Sequence, residues 1–244
     1  MSKLRWGILS TGRIARRLAG ALKKSKTGTL AAVASRDLAK AEAFVRDFPG
    51  ARAFGSYDEL LADPGVDAVY IATPHPAHAR WAIRAARAGK HILCEKPAAM
   101  NEAEVQAVLD AVKEHGVFFL EAFMYRCHPQ TAALVELIRS GAIGKVGLIE
   151  CAFAFDAGYD PSSRLFANAL GGGALLDVGC YCVSMARLLA GAATGRDFAE
   201  PLRVKAIGKL DEQEGTDLAT SAVLEFPGGI QANLFTAVKL THEN

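Results

Sequence analysis

Trp6-Gly7-Ile8-Leu9-Ser10-Thr11-Gly12-Arg13-Ile14-Ala15 reads as a strand that runs into a tight turn and then a helix. Such a turn is a ready cradle for phosphate, because free N–H groups and the positive end of the helix dipole face it. The dinucleotide fingerprint in this setting is G-x-G-x-x-G/A. The register that fits is Ser10-Thr11-Gly12-Arg13-Ile14-Ala15. Gly12 lets the backbone approach a pyrophosphate and Ala15 permits close helix–strand packing. Serine stands at the first glycine position, so the pattern is imperfect.

Outward from this turn, the first half of the chain alternates strand and helix. Strands are expected at residues 4–9, 30–35, 67–72, 91–94 and 117–120, and helices at 14–22, 38–48, 76–88 and 102–114. Such alternation implies an α/β fold with a doubly wound parallel sheet covered by helices on both faces. Near-continuous apolar strands agree with it. After Glu121 the pattern changes. A helix over 129–139 precedes longer strands at 146–155, 203–210, 218–226 and 230–238, with a helix at 175–189 among them and a hairpin signal at Pro227-Gly228-Gly229. Adjoining strands of this kind indicate an α+β domain with an open, mainly antiparallel sheet. The expected division is a nucleotide-binding domain at 1–122 and a substrate and oligomerisation domain at 123–244. The chain ends, over residues 237–244, on what reads as an uncapped strand. An open edge there is a liability, and an incomplete, truncated sheet is the expectation.

Composition narrows the class. Half of the 244 residues are hydrophobic and the formal charge is +2, with no basic run longer than a pair such as Lys23-Lys24. A buried core is expected and a nucleic-acid partner is not. Five cysteines (Cys94, Cys127, Cys151, Cys180, Cys182) are an odd number in apolar contexts, which suits free thiols in the cytoplasm. No signal peptide is expected ahead of the first strand. No segment is expected to span a bilayer; the best candidate, 173–193, is interrupted by Asp177 and Arg187. Metal binding is not expected, since His75-Pro76-Ala77-His78 lacks a helical ligand face and Cys180-Tyr181-Cys182 is no C-x-x-C pair.

Three groups of residues can carry chemistry. Cys94-Glu95-Lys96-Pro97 closes the strand 91–94, and ligands of open α/β sheets bind at the carboxyl ends of strands. The Lys96 ammonium can there polarise a hydroxyl or a carbonyl; a solvated surface lysine is the plain alternative. Ala34-Ser35-Arg36-Asp37 ends the second strand, where an NAD site would carry an acid on the ribose 2′-hydroxyl. Ser35 and Arg36 suit a 2′-phosphate instead, so NADP(H) is read over NAD(H), with Asp37 free to cap the next helix. Lastly, in Gly171-Gly172-Gly173-Ala174-Leu175-Leu176-Asp177-Val178-Gly179-Cys180-Tyr181, Asp177 and Tyr181 are four residues apart and share one helix face. That face is otherwise apolar (Leu170, Ala174, Met185), a costly place for a carboxylate without a polar partner. A phenol beside an ammonium can move a proton while hydride passes to or from a nicotinamide; a mutually satisfied buried Asp–Tyr pair is the structural alternative.

With Ala72-Thr73-Pro74 and Glu121-Ala122-Phe123-Met124-Tyr125-Arg126 added, the series resembles the Gfo/Idh/MocA family of nicotinamide-dependent oxidoreductases over essentially the whole chain. The tyrosine at 181, where many members carry histidine, and the Ser-Thr-Gly turn resemble its dihydrodiol dehydrogenase and NADP-dependent xylose dehydrogenase branch. The resemblance implies a Rossmann domain followed by an open-sheet domain. It implies Lys96 beside nicotinamide and substrate hydroxyl, Asp177 holding substrate, and Tyr181 as acid/base. Ser10, Thr11, Gly12, Arg13, Ile14, Ser35, Arg36, Thr73, His78, Glu95, Lys96 and Arg126 would line the cofactor site. Members are longer and many pair subunits through the second sheet, so a homodimer is expected if that sheet is complete. The activity implied is hydride transfer between NADP(H) and a sugar, polyol or dihydrodiol. A non-catalytic NADP(H)-binding regulator of the same fold is the alternative.

Overall fold

The computed structural model describes residues 3–241. The chain divides into two compact units, Met1–Ala122 and Phe123–Asn244.

In the first unit, strands β1 (Leu4–Leu9), β2 (Gly28–Ala34), β3 (Arg52–Phe54), β4 (Ala68–Ile71), β5 (His91–Cys94) and β6 (Phe119–Glu121) alternate with helices α1 (Arg13–Leu22), α2 (Leu38–Val45), α3 (Tyr57–Ala62), α4 (His78–Arg87) and α5 (Glu102–His115). The six strands are all parallel, in the order β3-β2-β1-β4-β5-β6. Alternate residues of each strand enter different cores. Ile8, Val33 and Tyr70 pack with Ala15, Ala19 and Phe44 of α1 and α2. Leu9, Ala34, Val69 and Ile71 pack with Leu60, Ala82, Ala86 and Val108 of α3, α4 and α5. Small alanines on α1 and α4 let these helices lie close to the sheet, and a sheet buried on both faces excludes alternating polarity. Asp37, Ser56 and Asn101 cap α2, α3 and α5 through their side chains.

Two of these elements, β3 and α3, have no counterpart in the sequence reading, because three residues and six residues are too few to establish a period. The helix expected over 76–88 is a 3₁₀ turn, His75–Ala77, followed by α4; Pro76 supplies no N–H to a longer helix.

The second unit holds helix α6 (Pro129–Arg139), strand β7 (Leu148–Ala154), helix α7 (Cys180–Ala193) and strands β8 (Arg203–Leu210), β9 (Asp217–Phe226) and β10 (Ile230–Ala237). Its sheet has the order β7-β10-β9-β8. The hairpin at Pro227–Gly229 pairs β9 with β10 antiparallel, and β8 with β9 likewise. β7, however, runs parallel to β10: α7 follows β7 and carries the chain across one sheet face, so no hairpin constrains that pair. The sheet is mixed. The last strand, read from the sequence as an open edge, instead lies between β7 and β9; the edges of this sheet are β7 and β8. Of the terminal stretch 237–244, residues 242–244 lie outside the described residues.

One face of this sheet packs on α7, where Cys182, Ala186 and Ala190 meet Ile149, Leu224, Phe226, Ala232 and Leu234. The helical run Asn168–Ala193 is long and apolar enough, by composition, to cross a membrane, which corrects the sequence expectation; half of its most apolar window is buried inside the protein. A core helix satisfies the same measure.

Candidate active site

In a parallel sheet every carboxyl end lies on one edge, so Ser10, Ser35, Thr73 and Glu95–Lys96 gather beyond the ends of β1, β2, β4 and β5. Strand order reverses between β1 and β4, the switch point where open α/β sheets bind ligands. Ser10 there adopts φ 122°, a region that favours glycine. Serine thus takes the backbone shape of the missing first glycine. Its Oγ accepts from Gly12 N at 3.2 Å, which holds the turn. Gly12 is the N-cap of α1; no side chain caps this helix and no acidic residue lies in its first turn. A Cβ built on Gly12 would meet only the Ser10 Oγ, at 3.5 Å, so the approach to the backbone is open. Arg13 and Ile14 are exposed at the same helix start.

Ser35 is buried and its Oγ accepts from Asp37 N, while Arg36 is exposed beside it. Asp37 caps α2 through a bond from Ala39 N, the local role open to it in sequence. Thr73 Oγ1 is buried with no hydrogen-bond partner among the described residues. A capless helix start, an exposed guanidinium and an unsatisfied buried hydroxyl on one sheet edge fit a phosphorylated dinucleotide.

The segment after β5 is held from several sides. Tyr70 Oη donates to the Glu95 carboxylate, and Ala98 N donates to Glu121 Oε1 at 2.8 Å. His78 is fully buried, its ring nitrogens 2.7 Å from the Pro97 carbonyl oxygen and 2.8 Å from that of Thr73. A side chain so enclosed reaches a cofactor only through the segments it holds. The Lys96–Pro97 peptide is cis, and Lys96 itself is half-buried. Cys94 lies beneath, its thiol pushed far up by burial and so inert as a nucleophile.

In the second unit the glycine run has separate tasks. Gly171 (φ 71°) ends the 3₁₀ turn Asn168–Leu170, so Leu170 is not on the helix face assigned to it from sequence. A Cβ on Gly172 would strike backbone atoms of Leu165, Phe166 and Ala167 at 2.8–3.0 Å. The helix then starts as a π segment, Leu175–Gly179, before α7. Asp217 anchors that start, accepting from Leu175 N at 2.9 Å and from Thr220 Oγ1 at 2.8 Å. Burial raises the Asp217 carboxyl despite these bonds.

Asp177 sits in the π segment and is 5% exposed. Arg164 Nη1 donates to its Oδ1 at 2.9 Å, which is the polar partner that a buried carboxylate requires. Tyr181, half-buried on α7, lies among Phe123, Tyr125 and Phe153, with ring centroids 5.4, 6.1 and 5.6 Å away. Tyr125 shares a hydrogen bond of 2.8 Å with Ser184, and burial raises its phenol. Arg126 is exposed in the same unit with its guanidinium 4.5 Å from the Phe198 ring centroid.

Sequence reasoning missed Arg164, the aromatic surround of Tyr181, and the Tyr70 and Glu121 braces. Tyr70 did carry a signal: it is the one polar side chain in the apolar strand β4. Arg164 carried none, being one cation in a long polar loop.

These features define a dinucleotide-binding α/β protein that carries a buried carboxylate and a phenol in a second unit. Residues 4–123 match the profile of an oxidoreductase family with an NAD-binding Rossmann fold, and residues 131–244 match the GFO/IDH/MocA C-terminal domain. The mouse trans-1,2-dihydrobenzene-1,2-diol dehydrogenase is 38% identical over 237 residues, covering 96% of this chain and 68% of that protein. A D-xylose 1-dehydrogenase (NADP(+)) of Haloferax volcanii is also 38% identical, over 94% of this chain and 68% of that one. A 3-ketoreductase from Actinomadura kijaniata, solved with NADP and TDP-benzene, superposes with TM-score 0.88 at 28% identity, over 100% of this chain and 72% of that chain. The chain belongs to the Gfo/Idh/MocA family of oxidoreductases.

Proposed function

We propose that the chain is an NADP(H)-dependent enzyme that moves a hydride between nicotinamide and a CH–OH or carbonyl carbon of a sugar, polyol or dihydrodiol. Residues 1–122 are assigned to the cofactor and 123–244 to the substrate and to subunit pairing. The observation that carries the reading is the second-unit pair: Asp177, buried on Arg164, one helical turn before Tyr181 in its aromatic surround.

Ser10 to Ile14 would hold the pyrophosphate, with Arg13 and Arg36 on the 2′-phosphate. Thr73, Glu95, Lys96 and Arg126 would line the remainder, with His78 acting through the backbone it holds. Bound there, the nicotinamide supplies or accepts the hydride. In oxidation, Tyr181 acts as the phenolate, its own proton lost to solvent beforehand, and takes the proton of the substrate hydroxyl to become the neutral phenol. Asp177 accepts a hydrogen bond from a substrate hydroxyl and fixes its orientation. The Lys96 ammonium offsets negative charge on the reacting oxygen. The partners of the reading are a small hydroxylated substrate and a second copy of the chain, joined through the exposed face of the β7-β10-β9-β8 sheet.

The test is oxidation of trans-1,2-dihydrobenzene-1,2-diol and of D-xylose with NADP+. Tyr181→Phe is expected to lower kcat by about 10²-fold or more with NADPH affinity retained. Undiminished turnover in that variant removes Tyr181 from the chemistry. Cofactor binding without turnover of any sugar or diol would favour the regulatory alternative.

A further inference from the structure

We propose that Tyr70, Glu121 and His78 are positioning residues that hold the segment bearing Lys96, an inference that rests on the role assigned to Lys96 above. Beyond Cys94 the sheet ladder ends after one more bond, from Glu95 N to Ile71 O at 2.9 Å. The next residues have no strand to fix them. Three side chains from three elements take over. Tyr70 on β4 holds the Glu95 carboxylate. His78 on α4 sits between two carbonyl oxygens, one ring nitrogen 2.7 Å from that of Pro97 and the other 2.8 Å from that of Thr73. Glu121, the last residue of β6, accepts from Ala98 N at 2.8 Å. Each residue flanking Lys96 is thereby tied to a different part of the first unit.

The chemistry of these groups favours this role over any other. Tyr70 and His78 are buried and cannot meet a ligand. Pro97 and Ala98 are buried as well, so an unmet carbonyl or N–H there would be costly. A lysine side chain has four rotatable bonds, and fixing its Cα narrows the positions open to the ammonium. Misplacing a reacting group by about 1 Å can cost about 10²-fold in rate.

The experiment compares wild type with Lys96→Ala, Glu121→Ala, Glu121→Gln and Tyr70→Phe. It measures kcat and KM with NADP+ and the substrate turned over above, NADPH affinity by fluorescence, and amide hydrogen exchange of the peptide holding Ala98. Glu121→Ala is expected to lower kcat about tenfold, with NADPH affinity within about threefold of wild type. Exchange at Ala98 should quicken about tenfold in the same variant. Glutamine keeps an oxygen that can accept from Ala98 N, so Glu121→Gln should restore both readouts. Tyr70→Phe, which removes one oxygen, should lower kcat in the same way and carries the test if Glu121→Ala does not fold. Wild-type kcat in Glu121→Ala and Tyr70→Phe overturns the proposal. So does a glutamine variant as impaired as the alanine one, or unaltered exchange at Ala98. Full turnover by Lys96→Ala would instead overturn the role of Lys96 itself. Failure of the braces alone leaves Lys96→Ala impaired and the brace variants intact.

Discussion

Ser10 combines a glycine-like backbone (φ 122°) with a side chain that accepts from Gly12 N. A non-glycine residue in such a region costs about 1–3 kcal/mol, and the hydrogen bond returns about 1 kcal/mol. Alanine here would keep the strain and lose the bond. Glycine would lose the bond but shed the strain, at an unfolded-state cost of about 0.4–1 kcal/mol. In thermal melts Ser10→Ala is therefore expected below Ser10→Gly in Tm, the reverse of the order at an ordinary loop position. Alanine equal to or above glycine would mean that the turn is unstrained. At this scale the sequence was legible where chemistry is local. The strand–turn–helix at Ser10 to Ala15, Lys96 at a strand end and the capping option of Asp37 could all be read from neighbours in the chain. Arg164 and Glu121 could not, because their partners, Asp177 and Ala98, are 13 and 23 residues away and no spacing rule links them.

Strand β4 is pinned at its start by Asp67, which accepts from Arg5 Nη2 at 2.6 Å, Nε at 3.0 Å and backbone N at 2.9 Å. The Arg5 side-chain hydrogen bond is foremost in holding the Asp67 carboxyl down to about 2. An unfolded aspartate titrates near about 4. The stabilisation is therefore present above pH ~4 and lost as pH falls from 4 towards 2. Both side chains are partly exposed, so screening keeps the effect modest. Asp67→Asn is expected to lower Tm by a few degrees at pH 7, with the gap narrowing as pH falls from 4 towards 2. A gap that does not change with pH would assign the effect to shape and not to charge. Among elements, long periodic helices and apolar strands were legible. The π segment before α7 was not, since its cause is tertiary: Asp217, some forty residues later, holds the Leu175 N–H.

At the scale of the whole molecule, the parallel sheet followed from the alternation of strand and helix, but the second sheet departed from its expected pattern at β7. Adjacency in sequence sets hairpins; it says nothing of where a strand lands after a helix. The face of that sheet away from α7 is buried at one end, around Ala154, Ala219 and Ala237, and exposed along the rest. Glu150–Asn233–Val223–Lys205 and Ala152–Phe235–Ser221–Ile207 form rows across it, and Ile207 is 78% exposed. Apolar side chains (Ala152, Val223, Phe235, Ile207) interleaved with Asn233 and Ser221, and charges at the margin (Glu150, Lys205), suit a second copy of the chain. Light scattering at micromolar concentration is expected to give a dimer, and Ile207→Asp to shift it towards monomer. A wild-type monomer under those conditions would contradict the pairing.

On the proposed reading, NADP(H) binds at the β1/β4 switch point and Arg36 reads its 2′-phosphate. Fluorescence titration of the chain with NADPH and NADH tests this most directly. Binding at least about tenfold tighter for NADPH is expected, as a charge-assisted phosphate contact of about 1.5–3 kcal/mol requires, and Arg36→Ala should remove most of that preference. Tighter binding of NADH, or no binding of either by the folded chain, would contradict it.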